Sequence, residues 1–307
     1  MSRRRAFAEA APANGGAAEV ELKRDPGDWP NREYSRSVHA GGFDWHVQIA
    51  GRGPVLLLLH GAGAATHSWR DLLPLLARDF TVVAPDLPGH GFTDATGSSQ
   101  ATLAGMANAL TKLLRVLDVR PDYAVGHSAG AAILVRMCLE GSITPRSVMA
   151  INGAFMPFGG PVSQLFSPLA KVLSLNPFVP RIFAWSASSP ASVERLIRDT
   201  GSHIDRRGLD LYGRLFADPR HVAGALRMMA NWDLSKMSDD LRRLKIPLTL
   251  VVGLNDRAVP PGQAGEIARI APGARLIRLK GLGHLAHEEA PETVAELIRA
   301  MASGSAP

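Results

Sequence analysis

Short, nearly all-apolar runs recur along the chain at 55–59, 81–84, 123–125, 148–151, 248–252 and 275–279. A strand with one wet face alternates apolar and polar residues. A run without that alternation is buried on both faces, as in a parallel sheet. Between the runs lie stretches such as "WRDLLPLLAR" and "LAGMANALTKLLRVL", whose apolar residues repeat at helical spacing. Strand and helix in alternation predict an α/β fold, a mostly parallel, doubly wound sheet of about eight strands. Ahead of these runs, "YSRSVHA" and "FDWHVQIAG" read as two strands joined by a turn at Gly41 and Gly42.

The alternation lapses between 154 and 236, in a segment rich in Pro, Phe, Met and Leu that returns to amphipathic helices by "LRMMANWD". This segment is expected to be a helical cap, 154–236, inserted into a core made of 26–153 and 237–304. Residues 1–25 read as a flexible, basic and Ala-rich tail. They carry charge but lack the continuous apolar segment of a signal peptide, and no run approaches the roughly twenty residues of a membrane span. A cytoplasmic protein is expected.

Charge changes this picture little. The formal net charge is +6, but the basic residues are scattered and no aromatics interleave with them, which argues against nucleic acid as a partner. A basic surface leaves room for weak attraction to an anionic membrane. The single cysteine, Cys138, excludes an internal disulfide, and its apolar surroundings read as a buried helix rather than a nucleophile site.

The chemistry begins at "YAVGHSAGAA", residues 123–132. Glycine weakens strands and helices, so Gly126 and Gly130 around Ser128 need a steric reason. G-x-S-x-G between a strand and a helix supplies it. This is the nucleophile elbow, which raises the serine hydroxyl clear of the strand end. Serine needs a base, and on this fold the chain order is serine, acid, histidine. "GLNDRAVP" offers Asp256 after one strand, and "GLGHLAHEEAP" offers His284 after the next. Asp94 and Glu288 are the weaker candidate acids. His287 follows too closely, with no thiolate or carboxylate to complete a metal site, and reads as the first turn of a helix.

Oxyanion donors are expected from the backbone N–H groups of Ala129 and of Ala62, the latter in "HGAGAATHSW". His60 at the start of that loop reads as a hydrogen-bonded structural residue. Phe155, Trp185, Met229 and Trp232 of the cap, with Trp69, are the expected contacts for a hydrophobic substrate.

"HGAG", "DLPGHG", "GHSAG", "GLND" and "GLGH" together resemble the α/β-hydrolase superfamily over nearly the whole chain after the tail. Within it, "DWPNREYSRSV" and "WHVQIAGRGPVLLLLHGAGAATHSWRDLLPLLA" resemble the BchO-type family, described as magnesium-chelatase accessory proteins of bacteriochlorophyll synthesis. The resemblance implies a serine hydrolase without metal or organic cofactor, associated with magnesium chelatase or tetrapyrroles. Two alternatives stay open. The same residues serve cofactor-free lyases and perhydrolases, and a tetrapyrrole-binding helper could retain them without using them.

Overall fold

The computed structural model describes residues 27–95, 97–157 and 189–305, so the predicted tail and Trp185 of the predicted cap lie outside the described residues. The strands are β1 (Ser35–Ala40), β2 (Phe43–Ala50), β3 (Val55–Leu59), β4 (Thr81–Pro85), β5 (Tyr123–His127), β6 (Ser147–Ile151), β7 (Leu248–Gly253) and β8 (Arg275–Leu279). They form one eight-stranded sheet in the order β1-β2-β4-β3-β5-β6-β7-β8. The pairs β1–β2 and β2–β4 are antiparallel, and every other pair is parallel. Gly41 (φ 61°) and Gly42 (φ 85°) close the first hairpin, since its tight turn needs positive φ at both central residues.

The unbroken apolar runs have the cause read from the sequence. Successive side chains of a strand face opposite ways, so each run feeds two cores. Leu57 and Leu59 of β3 join Val83 and Ala124 in the layer under α2 (Leu103–Val116) and α3 (Ala129–Leu139). Leu56 and Leu58 join Val82 and Val125 in the layer under α1 (Leu72–Leu76) and a C-terminal helix, Pro291–Ser303. The run at 275–279 behaves differently. It forms β8, which among the described residues pairs only with β7, at the sheet edge, with Arg275 and Arg278 exposed. Leucines between arginines suit a half-covered edge.

After β6, the described residues form α4 (Pro190–Asp199), α5 (Arg206–Ala217) and α6 (Pro219–Ala230) ahead of a shorter helix that leads to β7. Each of α4, α5 and α6 starts on a residue that caps it. The Ser189 hydroxyl accepts from Ser192 N–H (3.2 Å), Asp205 from Gly208 N–H (2.8 Å) and Asp218 from Arg220 N–H (2.9 Å). Such caps contribute about 1 kcal/mol each, which matters for short helices that cannot stand alone. The chain then continues through α7 (Met237–Leu241), α8 (Pro261–Ile270), α9 (Ala286–Glu289) and α10, the C-terminal helix. Because β3 to β8 run parallel, the loops that follow β3, β5, β6, β7 and β8 gather at one edge of the sheet. The cap helices lie over that edge. No helix among the described residues is long and apolar enough to cross a membrane.

Candidate active site

Ser128 separates the end of β5 from the start of α3 with φ 51° and ψ −116°, a conformation costly for any residue with a side chain. Its neighbours explain how the turn fits. A Cβ at Gly126 would stand 2.5 Å from Ala131 N, and one at Gly130 would stand 2.3 Å from the Leu59 carbonyl oxygen. The turn is pinned on both sides. Ser128 N–H donates to the Ile151 carbonyl (3.0 Å), and the Ser128 carbonyl accepts from Ala131 N–H (3.2 Å) and Ala154 N–H (3.1 Å). The N-terminal N–H groups of α3 lie beside the hydroxyl and favour negative charge there.

His284 follows β8, and its Nδ1–H donates to Asp256 Oδ2 at 2.8 Å. The same oxygen accepts from Asn152 Nδ2 (2.6 Å), while Oδ1 accepts from Ala258 N–H and Val259 N–H, both at 2.8 Å. Four donors on two oxygens suit a carboxylate. Asn152 was not singled out in the sequence. It ends β6 in the left-handed region (φ 48°), which asparagine tolerates better than most residues, and that position is its only sequence signal.

Ser128 and His284 both line a cavity of about 420 Å³. Its walls include Ala62 and Ala129 from the core, and Met229 and Trp232 from the cap side. Ile197 of α4, Tyr212 and Phe216 of α5 and Met228 of α6 also line it. Two expected contacts lie elsewhere. Trp69 is fully buried in the layer beneath the sheet, 4.6 Å from the His287 ring, and Phe155 is packed into the opposite core against β6 and β7. An apolar aromatic announces burial but not the surface it is buried against. Asp94 is also accounted for, accepting from Asp44 N–H at 2.9 Å in the loop beside β2.

Residues 56–297 match the family model described as the alpha/beta hydrolase family. The chain belongs to that family. This hydrolase is 40% identical over 275 residues to the "Magnesium-chelatase 30 kDa subunit" of Rhodobacter capsulatus, covering 89% of the chain and 96% of the relative. It is 31% identical over 271 residues to the "Pyrrolizixenacetamide deacetylase" of Xenorhabdus hominickii, covering 85% and 96%. The enol-lactonase of Burkholderia xenovorans shares the fold, with a TM-score of 0.71 at 19% identity over 87% of this chain and 100% of that one.

The loop that carries His284 in this hydrolase is held from three directions. Gly283 N–H donates to Glu289 Oε1 (2.9 Å), and Leu285 N–H donates to the hydroxyl of Ser202 from the cap (2.8 Å). His127 Nε2–H donates to the His284 carbonyl (2.9 Å), with its ring 4.7 Å from the His284 ring and 4.5 Å from that of His287. Burial holds His127 and His287 well below the usual histidine range, so both pack as neutral rings. His287 is the second residue of α9. Burial likewise pushes the Cys138 thiol up to about 12, which leaves it un-ionised on α3.

Glu288, four residues beyond His284, is buried and accepts from Arg70 Nη1 and from the Tyr212 hydroxyl (2.8 Å) of α5. Arg70 also meets Asp71 (3.1 Å) and Asp205 (3.0 Å), the cap of α5. This cluster ties the cap to the helix behind His284. Burial outweighs the pull of Arg70 and Tyr212 and raises Glu288 from 4.5 to about 7. A carboxyl with a raised folded pKa holds its proton more tightly when folded. Its contribution is complete below about pH 4.5 and is lost as pH rises through about 7. Glu288→Gln keeps the shape and removes the titration. Its fall in Tm between pH 5.5 and 8 is therefore expected to be smaller than the parent's, and an equal fall would place the titration in another group.

Proposed function

We propose that the protein is an esterase-like serine hydrolase acting on a hydrophobic acyl ester. The observation that carries this reading is a strained serine and a histidine–carboxylate pair opening on one apolar cavity. Ser128 attacks the carbonyl while His284 Nε2 takes its proton. Asp256 fixes the imidazole with Nδ1–H toward the carboxylate and stabilises the imidazolium that forms. The N–H groups of Ala62 and Ala129 hold the oxyanion. A water activated by His284 then releases the acyl group from Ser128. The lining by Ile197, Phe216, Met229 and Trp232 supports an apolar acyl or alcohol part. The 40% identity to a magnesium-chelatase subunit supports a place for that ester near magnesium–tetrapyrrole chemistry.

A fluorophosphonate probe is expected to label Ser128, with Ser128→Ala losing both the label and all turnover of p-nitrophenyl esters. Labelling at another residue, or none in folded protein, would overturn the reading. The name of the same relative favours one competing role, a non-catalytic helper of magnesium chelatase. Ser128→Ala that stimulates a magnesium chelatase as well as the parent does would decide for that role.

A further inference from the structure

Two imidazoles bridge the loop after β4 to the loop after β3, both in the same sense. His60 accepts from Leu87 N–H at Nε2 (2.9 Å) and donates from Nδ1 to the Gly61 carbonyl (2.8 Å). His221 accepts from Gly91 N–H at Nδ1 (3.0 Å) and donates from Nε2 to the Gly63 carbonyl (3.1 Å). One donor and one acceptor are the full capacity of a neutral imidazole, so both tautomers are fixed. Burial keeps both rings neutral, with His221 lowered to about 4. His90 packs between them, its ring 5.5 Å from His60 and 5.4 Å from His221. The difference lies in origin. His60 belongs to the core, whereas His221 stands on α6 of the cap.

The loop after β4 is a firm anchor for α6. Buried Asp86 accepts from Thr66 N–H (2.6 Å) and Phe92 N–H (3.0 Å) and pairs with His46 (2.8 Å). A Cβ at Gly224 of α6 would stand 1.9 Å from the Gly89 carbonyl oxygen, so helix and loop meet backbone to backbone. From this anchor a chain of rigid units leads to the cavity. The Gly63 carbonyl held by His221 shares a peptide plane with Ala64 N–H. Ala64 N–H donates to the Gly61 carbonyl (3.2 Å), which shares its plane with Ala62 N–H. Gly61 lets this segment reach Ser128, since a Cβ there would stand 2.8 Å from His127 Nδ1 and 3.0 Å from Ser128 Cβ.

We propose that His221 is a positioning residue for the oxyanion hole, aligning Ala62 N–H through the Gly63 and Gly61 peptides and making that alignment depend on docking of α6. The proposal rests on the hydrolase reading, in which Ala62 N–H receives the oxyanion. His221 touches no reacting atom in this role. It sets the direction of a donor whose outright loss costs about 10²- to 10³-fold in turnover in comparable enzymes.

Loosening the donor should cost less than deleting it. His221→Ala is expected to lower kcat for p-nitrophenyl acetate about 10- to 100-fold with KM changed by less than about 3-fold. His221→Gln places an amide N–H near the Nε2 position and should recover more of kcat than His221→Asn, which mimics Nδ1. Hydrogen exchange across 61–65 should quicken in His221→Ala while exchange in α5 stays at the parent rate. His221 also lines the cavity, so a raised KM at unchanged kcat would confine it to that wall and overturn the proposal. Unchanged exchange across 61–65 would overturn it too. The parent decides the other question separately. If it neither hydrolyses esters nor takes the fluorophosphonate label, the hydrolase reading fails, and the exchange experiment still shows whether His221 holds the loop.

Discussion

Asp256→Asn is expected to cut turnover on the order of 10⁴-fold, the loss that this exchange causes in Ser-His-Asp proteases, without unfolding the protein. The hydrogen bonds around the side chain dictate the result. Ala258 N–H and Val259 N–H both donate to Oδ1, so an asparagine must keep its oxygen there. Its NH₂ group then occupies the Oδ2 position, where Asn152 Nδ2 and His284 Nδ1–H both donate. Asn152 can turn its amide over and offer oxygen. His284 can adapt only by moving its proton to Nε2, which removes the lone pair that should accept from Ser128. No core volume changes, so the Tm should stay within a few degrees of the parent's. Ester turnover, rate of fluorophosphonate labelling and thermal unfolding measured on one preparation check all three statements. Turnover within tenfold of the parent would remove Asp256 from the role of orienting His284.

The second large effect is on stability, and it reverses sign between two glycines given the same substitution. Gly130→Ala places a methyl group 2.3 Å from the Leu59 carbonyl oxygen and 2.6 Å from that of His60. Both atoms are backbone at the end of a central strand, so no side chain can swing away to relieve the clash. Either α3 or the end of β3 must move. The cost is expected at about 3 kcal/mol, a Tm lowered by roughly 5–10 °C. Ser128 and the Gly61 loop are joined at this contact, so ester turnover should fall with it. Gly265 lies inside α8, where an added Cβ meets nothing within 4 Å. Gly265→Ala should stabilise by about 0.5–1 kcal/mol, because alanine loses less backbone freedom than glycine on entering a helix. Thermal unfolding of the pair against the parent is the check. A Gly130→Ala protein with parental Tm and activity would remove the steric reason for glycine at the elbow.

Some of this architecture could be read from local pattern alone. Leu56 to Leu59 lack polar alternation because each sits in one of two cores, and that property needs no knowledge of the partner strand. The spacing of Gly126, Ser128 and Gly130 was legible for a similar reason. A strand that turns at once into a helix crowds its own backbone, and the clash is written within ten residues. Asp256 and His284 were found by their place after apolar runs, since parallel strands bring the loops at their ends to one edge. The run at 275–279 marks where this reasoning stops. Its leucines announced a strand, but its place at the sheet edge, which leaves Arg275 and Arg278 exposed, depends on which strands pair.

What only the tertiary structure decided are the contacts between segments remote in sequence. Trp69 and Phe155 had the composition of substrate contacts and lie in the two cores instead, because hydrophobicity is non-directional and does not name the surface that covers it. Asn152 meets Asp256 across 104 residues, and His221 meets Gly63 across 158. Neither residue carries a periodic or motif signal. Their roles come from hydrogen bonds to remote partners, and a hydrogen bond depends on distance and angle to a tenth of its length, which is fixed only after the strands have paired and the cap has docked. The chain order therefore determined which loops meet. The docking of α6 and α9 determined which of their side chains hold one another.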